Sequence, residues 1–325
     1  MHVLLTGGSG FIAAHILDGL LQRGHSVVVT VRSQGKADLV ASAHRGMEKH
    51  RLDFVIVEDI AREDAFQKGA VIHTASPFHF NTTNVQKDLL DPAIIGTKGI
   101  LKSIEEKAPS VRRVVITSSF AAVVNGSKGF WPEHTYSEAD WNPITKEEAS
   151  KSAVSGYRAS KTFAERAAWE FIEQRRPKFT LTTICPPLVF GPVKHLSSPE
   201  ALNTCNQRIR DIIQGTDHGQ LPPGLWVDVR DLALGHVLAM EKEDAAANKR
   251  FFFTPGTFSS KEVAQIVGKN FPELQHKLQI VNSGDNVKSV SYNINIDHTN
   301  RILGVPWTSL EKSVVDTVHS IKTIV

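Results

Sequence analysis

Cysteine is scarce in this sequence. Two of its 325 residues are cysteines, Cys185 and Cys205, which is too few for a disulfide framework or a cysteine-rich zinc site. The fourteen histidines are scattered, and none stands at metal-ligand spacing from an acid or a cysteine. We therefore predict no metal site, and a protein of a reducing compartment.

Long apolar runs and a strong charge imbalance are lacking too. No stretch is long enough to span a membrane, and the first residues carry no basic segment followed by an apolar one, so we predict a cytoplasmic protein. The 37 basic and 34 acidic residues give a net charge of +3, without the basic stripe typical of nucleic-acid binding. The predicted partner is a small molecule, and the predicted assembly is a monomer or a homodimer.

Short β-branched runs alternate with helical patterns over the first two-thirds of the chain. This alternation, with strands that are apolar throughout, predicts an α/β fold with a Rossmann-type doubly wound parallel sheet. The predicted strands are 3–6, 26–31, 54–57, 71–74, 113–117 and 179–184, and the predicted helices are 11–23, 85–107 and 155–174.

The regular alternation of predicted strands and helices ends after Pro187. A loop-rich stretch with one short helix precedes a helix near 231–241, with Asp231 as its expected N-cap, and a strand at 250–253. Helices at 259–271 and 309–322 follow. We predict a first domain of residues 1–190 with about 226–254, and a smaller C-terminal α/β domain of about 191–225 and 255–325. An irregular insertion at 125–149 has a length more typical of functional loops than of plain connections.

A glycine-rich turn joins the first strand to the first helix at residues 6–13. Gly7 and Gly10 allow a tight turn and close approach to a pyrophosphate, which the N–H groups of the helix N-terminus favour. A plain strand–helix turn is the alternative. The position of the turn, between a strand and an amphipathic helix, favours dinucleotide binding.

The end of the second strand favours NADPH over NAD. A carboxylate normally follows this strand in NAD sites and binds the ribose 2′-hydroxyl, whereas here the sequence is Thr30-Val31-Arg32-Ser33. Arg32 and Lys36 can instead bind a 2′-phosphate, unless they are two solvated surface cations. Asp59 and Ile60 are candidates for contact with the adenine, although an aspartate at a strand end is often a turn former.

Three residues form a candidate catalytic trio. Tyr157 and Lys161 are four residues apart on one predicted helix, so both side chains share a face. A nearby ammonium and an oxidised nicotinamide both favour the phenolate, so together they lower the pKa of a tyrosine toward the working range of a proton donor. Ser119 ends a buried strand where open α/β sheets bind ligands, with Ser118 as the alternative. A tyrosine and a lysine at this spacing also occur by chance.

Five motifs follow one another along the chain: Thr6–Ala13, His73–Phe78, Thr117-Ser118-Ser119, Tyr157-x-x-x-Lys161 and Pro187–Pro192. Their order is typical of the extended short-chain dehydrogenases/reductases, and the chain resembles that family from about residue 1 to 231 and more faintly to its end. It is similar to the dihydroflavonol and cinnamoyl-CoA reductase branch, and within it to the fungal methylglyoxal/isovaleraldehyde reductases and carbonyl reductases.

The resemblance implies an NADPH-binding first domain, a substrate-binding second domain, and a role for each matched position. Ser119 would orient the carbonyl, Tyr157 would donate the proton, and Lys161 would adjust the pKa of Tyr157. The implied cofactor-binding residues are Gly7, Gly8, Ser9, Gly10, Phe11, Ile12, Arg32, Lys36, Asp59, Ile60, Thr74, Ala75, Ser76, Thr117, Tyr157, Lys161, Pro186 and Val189. The implied substrate pocket is formed by Phe78, Phe120, Val124, Leu188, Thr204 and Cys205.

Two positions depart from the family pattern. Ala93 stands where many members carry an asparagine of a proton relay, so we expect protons to be resupplied through water or the ribose. Cys185-Pro186 stands where an Asn-Pro pair is usual, which puts the shape of the nicotinamide edge in doubt.

The sequence as a whole predicts NADPH-dependent reduction of aldehydes and ketones to alcohols. A sugar-nucleotide epimerase or dehydratase on the same fold is one alternative, which would be expected to have an acid after the second strand. A non-catalytic NADP-sensing regulator is another, which would be expected to lack a member of the catalytic trio.

Overall fold

A computed structural model of the chain describes residues 1–56, 69–75, 84–194, 201–216, 224–278 and 291–323. Its strands are β1 His2–Thr6, β2 Ser26–Val31, β3 Leu52–Ile56, β4 Gly69–His73, β5 Val111–Thr117, β6 Thr135–Tyr136, β7 Thr180–Cys185, β8 Leu188–Phe190, β9 Gly224–Asp228, β10 Lys249–Phe252, β11 Gly256–Phe258 and β12 Asn293–Ile294. Its α-helices are α1 Phe11–Gln22, α2 Gln34–Ala43, α3 Asp91–Lys107, α4 Lys146–Ala149, α5 Ala153–Arg175, α6 Thr204–Gln214, α7 Val229–Glu241, α8 Glu243–Ala246, α9 Ser260–Asn270, α10 Asp297–Leu303 and α11 Leu310–Ile321.

Seven strands form a parallel sheet in the order β10-β7-β5-β4-β1-β2-β3. Helices α1 and α7 pack together on one face, and α3 and α5 pack together on the other. Apolar strands covered on both faces are the arrangement that parallel sheets require. The prediction of a doubly wound parallel sheet is confirmed. The carboxyl ends of β1, β4, β5 and β7 all lie at one edge of the sheet, and that edge positions the site described below.

A second, smaller core lies beyond β8. Strands β8, β9 and β11 form a three-stranded sheet in the order β11-β9-β8, and helices α6, α9 and α11 pack beside it. Phe190, Trp226 and Phe258 are buried in its apolar cluster. Strands β8 and β9 thus lie in the small sheet, although the predicted boundaries assign most of both strands to the first domain.

The helix near residue 231 begins earlier than predicted. Asp228, rather than Asp231, is the N-cap of α7, and its carboxylate accepts a hydrogen bond from the Arg230 backbone N–H at 2.8 Å. Asp231 lies in the first turn and accepts hydrogen bonds from the backbone N–H of Thr308 at 2.7 Å and from its hydroxyl at 2.8 Å. Its role is to fasten the C-terminal segment to α7.

Of the helices described, none combines the length and the apolar character that a membrane span would need. Within the same ranges, no three histidine, cysteine or acidic side chains are grouped as metal ligands would be.

Candidate active site

A cavity of about 450 Å³ lies along the carboxyl edge of the large sheet. It extends from the β1–α1 turn past the end of β5 to the start of α6. The described residues that line it are Gly7, Ser9, Gly10, Phe11, Ile12, Ala13, Thr30, Val31, Arg32, Lys36, Thr74, Ala75, Thr117, Ser118, Ser119, Tyr157, Lys161, Pro186, Pro187, Val189, Asn203, Thr204 and Cys205. Most of the predicted cofactor and catalytic residues therefore face one space.

The glycine-rich turn forms one end of the cavity. Gly7 has φ +71°, a conformation that favours glycine, and a Cβ on it would lie 3.1 Å from the Ala75 backbone. Helix α1 begins after Gly10, which has no side chain to cap it. A backbone that approaches closely, followed by an open helix N-terminus, fits the pyrophosphate of a dinucleotide.

Gly8 serves the fold instead of lining the cavity. Its N–H donates to the carbonyl of Thr30 at 3.1 Å, and a Cβ added to it would overlap the Val29 side chain. This glycine lets the turn pack against β2. Gly8 was predicted as a cofactor contact, but in this structure it supports the turn and does not line the cavity.

Arg32 and Lys36 follow β2, and both side chains are exposed and line the cavity. They lie beside the glycine-rich turn, where the 2′-phosphate of NADPH would require positive charge. Asp59, Ile60, Ser76 and Phe78, which the sequence also assigned to the site, lie outside the described residues.

The middle of the cavity is bounded by the ends of β1 and β4. The Thr74 hydroxyl donates to the carbonyl of Thr6 at 2.7 Å, and the Thr6 hydroxyl lies 2.8 Å from His73 Nδ1. Burial, with Lys161 nearby, lowers the pKa of His73 to about 4, so this imidazole is neutral at physiological pH. These bonds fix the strand ends that carry Thr74 and Ala75.

Ser119, Tyr157 and Lys161 come together at the end of β5. The Ser119 hydroxyl lies 3.5 Å from the Tyr157 hydroxyl, and Lys161 Nζ lies 5.9 Å from the centre of the Tyr157 ring. Helix α5, capped by Ser152, carries the tyrosine and the lysine one turn apart, as predicted. Ser119 also accepts a hydrogen bond from Ala121 N–H at 3.1 Å, which leaves its own proton for another acceptor.

The titration behaviour of the trio differs from the sequence expectation. Burial raises the pKa of Tyr157 to about 12, although the hydrogen bond with Ser119 opposes this shift. Burial lowers the pKa of Lys161 to about 8. The groups of the protein by themselves thus do not produce the expected decrease in the tyrosine pKa, and Tyr157 is a neutral phenol. A neutral phenol is the form that can donate a proton to a carbonyl oxygen.

A buried histidine supports the wall behind the trio. His236 Nδ1 donates to the carbonyl of Leu232 at 2.8 Å, so its Nε2 is free to accept from the Thr117 hydroxyl at 2.7 Å. Burial lowers the pKa of His236 to about 4, although its bond to Leu232 opposes this shift. This neutral pair orients the Thr117 side chain near Ser119.

The far end of the cavity is formed by the β8 strand and the start of α6. Val189, Thr204 and Cys205 line it, with Pro186 beside them. Asn203 and Pro187 line it as well, although neither was predicted as a site residue. Asn203 is the N-cap of α6 and makes no side-chain cap hydrogen bond. An asparagine just before a helical pattern is the sequence signal that could have found it.

Three of the predicted pocket residues pack elsewhere in the described structure. Phe120 stacks on Phe252 with ring centres 5.4 Å apart, and Val124 is buried in the same cluster. Leu188 packs against the smaller core. None of these three lies among the described residues that line the cavity, since their side chains fill apolar clusters behind it.

Comparison with known proteins identifies the family. Residues 3–252 match the model of the NAD dependent epimerase/dehydratase family. The chain belongs to this family. The predicted resemblance to the extended short-chain dehydrogenases/reductases is confirmed.

Two curated fungal relatives match almost the whole chain. A ketoreductase of Aspergillus niger, azaE, is 43% identical over 98% of this chain and 96% of its own. The NADPH-dependent methylglyoxal reductase GRE2 of Saccharomyces cerevisiae is 36% identical over 99% of this chain and 98% of its own.

A solved structure also matches the fold of this chain. Gre2 of Candida albicans in complex with NADPH superposes with a TM-score of 0.90, at 38% identity, over 100% of this chain and 99% of that one. Gre2 of Candida albicans therefore shares the whole architecture of this epimerase/dehydratase family member, from the glycine-rich turn to the C-terminal helices.

Proposed function

We propose that this protein reduces aldehydes and ketones to alcohols with NADPH. The observation that carries the proposal is that Ser119, Tyr157 and Lys161 line the same cavity as Gly7, Gly10 and the cations after β2. The relatives named above as a ketoreductase and an NADPH-dependent methylglyoxal reductase support it.

The residues divide the chemistry between them. NADPH, when bound, supplies the hydride that adds to the carbonyl carbon. The Ser119 hydroxyl donates a hydrogen bond to the carbonyl oxygen and orients it beside the Tyr157 hydroxyl. Tyr157 then gives its proton to that oxygen as negative charge develops there. The Lys161 ammonium stabilises the tyrosinate that remains, until solvent protons restore the phenol.

A neutral substrate fits the far end of the cavity. The cations among the described lining residues are Arg32 and Lys36 at the phosphate end and Lys161 beside the trio. The end between Val189 and Cys205 carries no charged side chain among the described residues. We therefore assign small aldehydes, ketones and diketones rather than carboxylates or sugar nucleotides.

The family description also covers epimerases, which remain the alternative enzyme class. An epimerase on this fold would hold NAD, and the residue after β2 that would bind its 2′-hydroxyl is Arg32 instead of an acid. A regulator without turnover is the non-enzyme alternative, and the presence of the complete trio speaks against it.

The remaining expectations are proposals too. We propose that the first domain binds NADPH and that the smaller C-terminal part binds the substrate. We also propose a cytoplasmic monomer or homodimer without a nucleic-acid partner, in keeping with the free cysteines Cys185 and Cys205.

The deciding experiment follows nicotinamide oxidation by absorbance with a panel of aldehydes, ketones and diketones. We expect turnover with NADPH, little with NADH, and a loss of about a thousandfold in Tyr157→Phe. Tyr136→Phe is the matched control, because Tyr136 is a buried tyrosine away from the cavity, and it should retain wild-type turnover. Tight NADPH binding without turnover of any carbonyl would overturn the proposal in favour of the regulator.

A further inference from the structure

A buried carboxylate lies on the same face of α5 as the catalytic pair. Glu165 follows Lys161 by one helical turn and Tyr157 by two, and it is 3% exposed. Its oxygens accept hydrogen bonds from the Ser118 hydroxyl at 2.6 Å and from the Thr183 hydroxyl at 2.7 Å. One carboxylate thus joins the helix of the trio to the ends of β5 and β7.

Arg250 on β10 completes the arrangement around this carboxylate. Its Nε donates to Glu165 at 2.8 Å and its Nη2 at 3.2 Å. The Ala122 carbonyl, just after the catalytic serine, accepts from Nη2 at 3.2 Å. A strand at the far edge of the sheet therefore holds both α5 and the segment that follows Ser119.

The same guanidinium fastens the 125–149 insertion. Arg250 Nη1 donates to the carbonyls of Glu138, at 2.8 Å, and Asp140. The guanidinium carbon lies 3.9 Å from the centre of the Trp141 ring, within the range of a cation–π contact. The insertion closes over the ion pair and keeps water from it.

The ion pair is held in its charged form. Burial alone would raise the pKa of Glu165, but the charge of Arg250 and the hydrogen bonds from Arg250, Ser118 and Thr183 bring that pKa below its ordinary value. A fully buried carboxylate is stable only with such a set of partners. Each partner is therefore constrained in position by the need to satisfy the same two oxygens.

The fixed position of Ser118 also constrains the next residue, Ser119. Ser119 has an extended backbone, φ −160° and ψ 152°, and consecutive side chains of an extended chain point to opposite sides. The backbone on each side is fixed as well, since Ser118 N–H donates to Ile184 at 2.7 Å and Phe120 N–H to Pro186 at 2.8 Å. With the Ser118 hydroxyl bound to Glu165, the Ser119 hydroxyl points toward Tyr157.

We propose that Glu165 is a positioning residue for the reaction: paired with Arg250, it holds Ser118 so that Ser119 is set at the correct distance from Tyr157. Glu165 is not itself among the residues that line the cavity in the described structure. The inference rests on the proposed reductase activity for its kinetic consequences, but its structural consequence can be measured without turnover.

The kinetic test compares two hydroxyls that bind the same carboxylate. Ser118→Ala removes the bond that leads to the catalytic serine, and Thr183→Val removes the equivalent bond on β7. We expect kcat to fall about tenfold or more in Ser118→Ala with the KM for NADPH unchanged, because small displacements of reacting groups are costly. Thr183→Val should stay within about twofold. Equal kcat values in the two variants would overturn the proposal.

A double-mutant cycle separates positioning from direct contact, since Ser118 also borders the cavity. If Ser118 acts through the carboxylate, Ser118→Ala should have little further effect on kcat in a Glu165→Leu background, which has no acceptor for the Ser118 hydroxyl. The same tenfold loss in both backgrounds would mean that Ser118 contacts the ligand itself, and the proposal would fail. If Glu165→Leu does not fold, Glu165→Leu with Arg250→Met removes both charges and serves as the background.

A spectroscopic arm distinguishes failure of this proposal from failure of the proposed function. The chain has three tyrosines, so fluorotyrosine labelling gives a ¹⁹F spectrum in which Tyr157→Phe assigns the Tyr157 signal. That signal should move in Ser118→Ala as it does in Ser119→Ala, and stay in place in Thr183→Val. A shift without any wild-type turnover would support positioning and reject the reductase; an unmoved signal in Ser118→Ala would reject positioning.

Discussion

The two ends of the cavity are built in opposite ways. At the phosphate end, Arg32 and Lys36 are exposed side chains on the surface of the second β–α unit. At the catalytic end, Ser119 and Tyr157 are half-buried, and hydrogen bonds to the buried side chains of His236 and Glu165 support the walls behind them. In the proposed reaction, cofactor selection would thus depend on groups that the fold does not need, and catalysis on groups that the core holds in place.

The largest expected effect is at the catalytic end. Lys161→Met should lower kcat by about a thousandfold, yet the midpoint of thermal unfolding at neutral pH should not decrease, because burial disfavours the charged lysine and lowers its pKa to about 8. Steady-state kinetics and calorimetry measure the two quantities. Lys98→Met, on the exposed side of α3, is the control for activity. A variant that lost stability in step with activity would contradict this view.

The next effect is at the phosphate end. Replacing Arg32 and Lys36 together by alanine should reduce the preference for NADPH over NADH about a hundredfold, since hydrogen bonds between charged groups contribute about 1.5–3 kcal/mol each. The measurement is kcat/KM with each cofactor. Arg45→Ala, an exposed arginine outside the cavity lining, should leave the ratio unchanged. An equal decrease in kcat/KM with both cofactors would show that these cations do not bind the 2′-phosphate.

Two glycines of one turn should differ in what they affect. Gly8→Ala would force a methyl group into Val29 and should lower the free energy of unfolding by about 2 kcal/mol, with little change in the NADPH affinity of the folded protein. Gly10→Ala should instead weaken NADPH binding and cost less stability, because Gly10 lines the cavity. Urea unfolding and cofactor fluorescence titration test both, and the reverse pattern would refute the assignment of Gly8 to the fold.

The smallest effect is a pH dependence of stability. The folded pKa of His236 is about 4, below the unfolded value of about 6.5, so the unfolded chain takes up a proton that the folded chain does not. Stability is therefore lost as pH falls from about 6.5 toward 4. His236→Asn should reduce the loss between pH 7 and 5.5 by about 1 kcal/mol in urea unfolding. Replacing the exposed His276 by asparagine should leave that loss of stability unchanged. Identical pH profiles for the wild type and both variants would contradict the assignment of the loss to His236.

The sequence predicted the large sheet well because its signals are local. Strand β2 was placed with correct bounds, and helix α1 and strand β1 within one residue of the observed ends. The glycine-rich turn and the Tyr157–Lys161 spacing are local as well. The short strands β8, β9 and β11 were missed because three to five residues carry too little periodicity to distinguish a strand from a loop.

The parts of the site that depend on distant residues could not be predicted. Whether Ser118 or Ser119 faces Tyr157 is decided by Glu165, 47 residues beyond Ser118, and Arg250, 85 residues beyond Glu165. No local pattern links these three positions. The pKa of Tyr157 was expected to fall for a similar reason: the nearby lysine is visible in the sequence, whereas the burial that raises this pKa is not.

The late position of β10 in the chain has a consequence for synthesis on the ribosome. This outermost strand pairs with β7, although about 60 residues, which include β8, α6, β9 and α7, separate the two along the chain. Until residue 250 has been made, the growing chain contains Glu165 without its counter-ion and β7 without its outer neighbour, an open edge of the kind that invites wrong pairing. The large sheet can therefore be completed only after residue 252 has been made, when more than three-quarters of the chain is already synthesised.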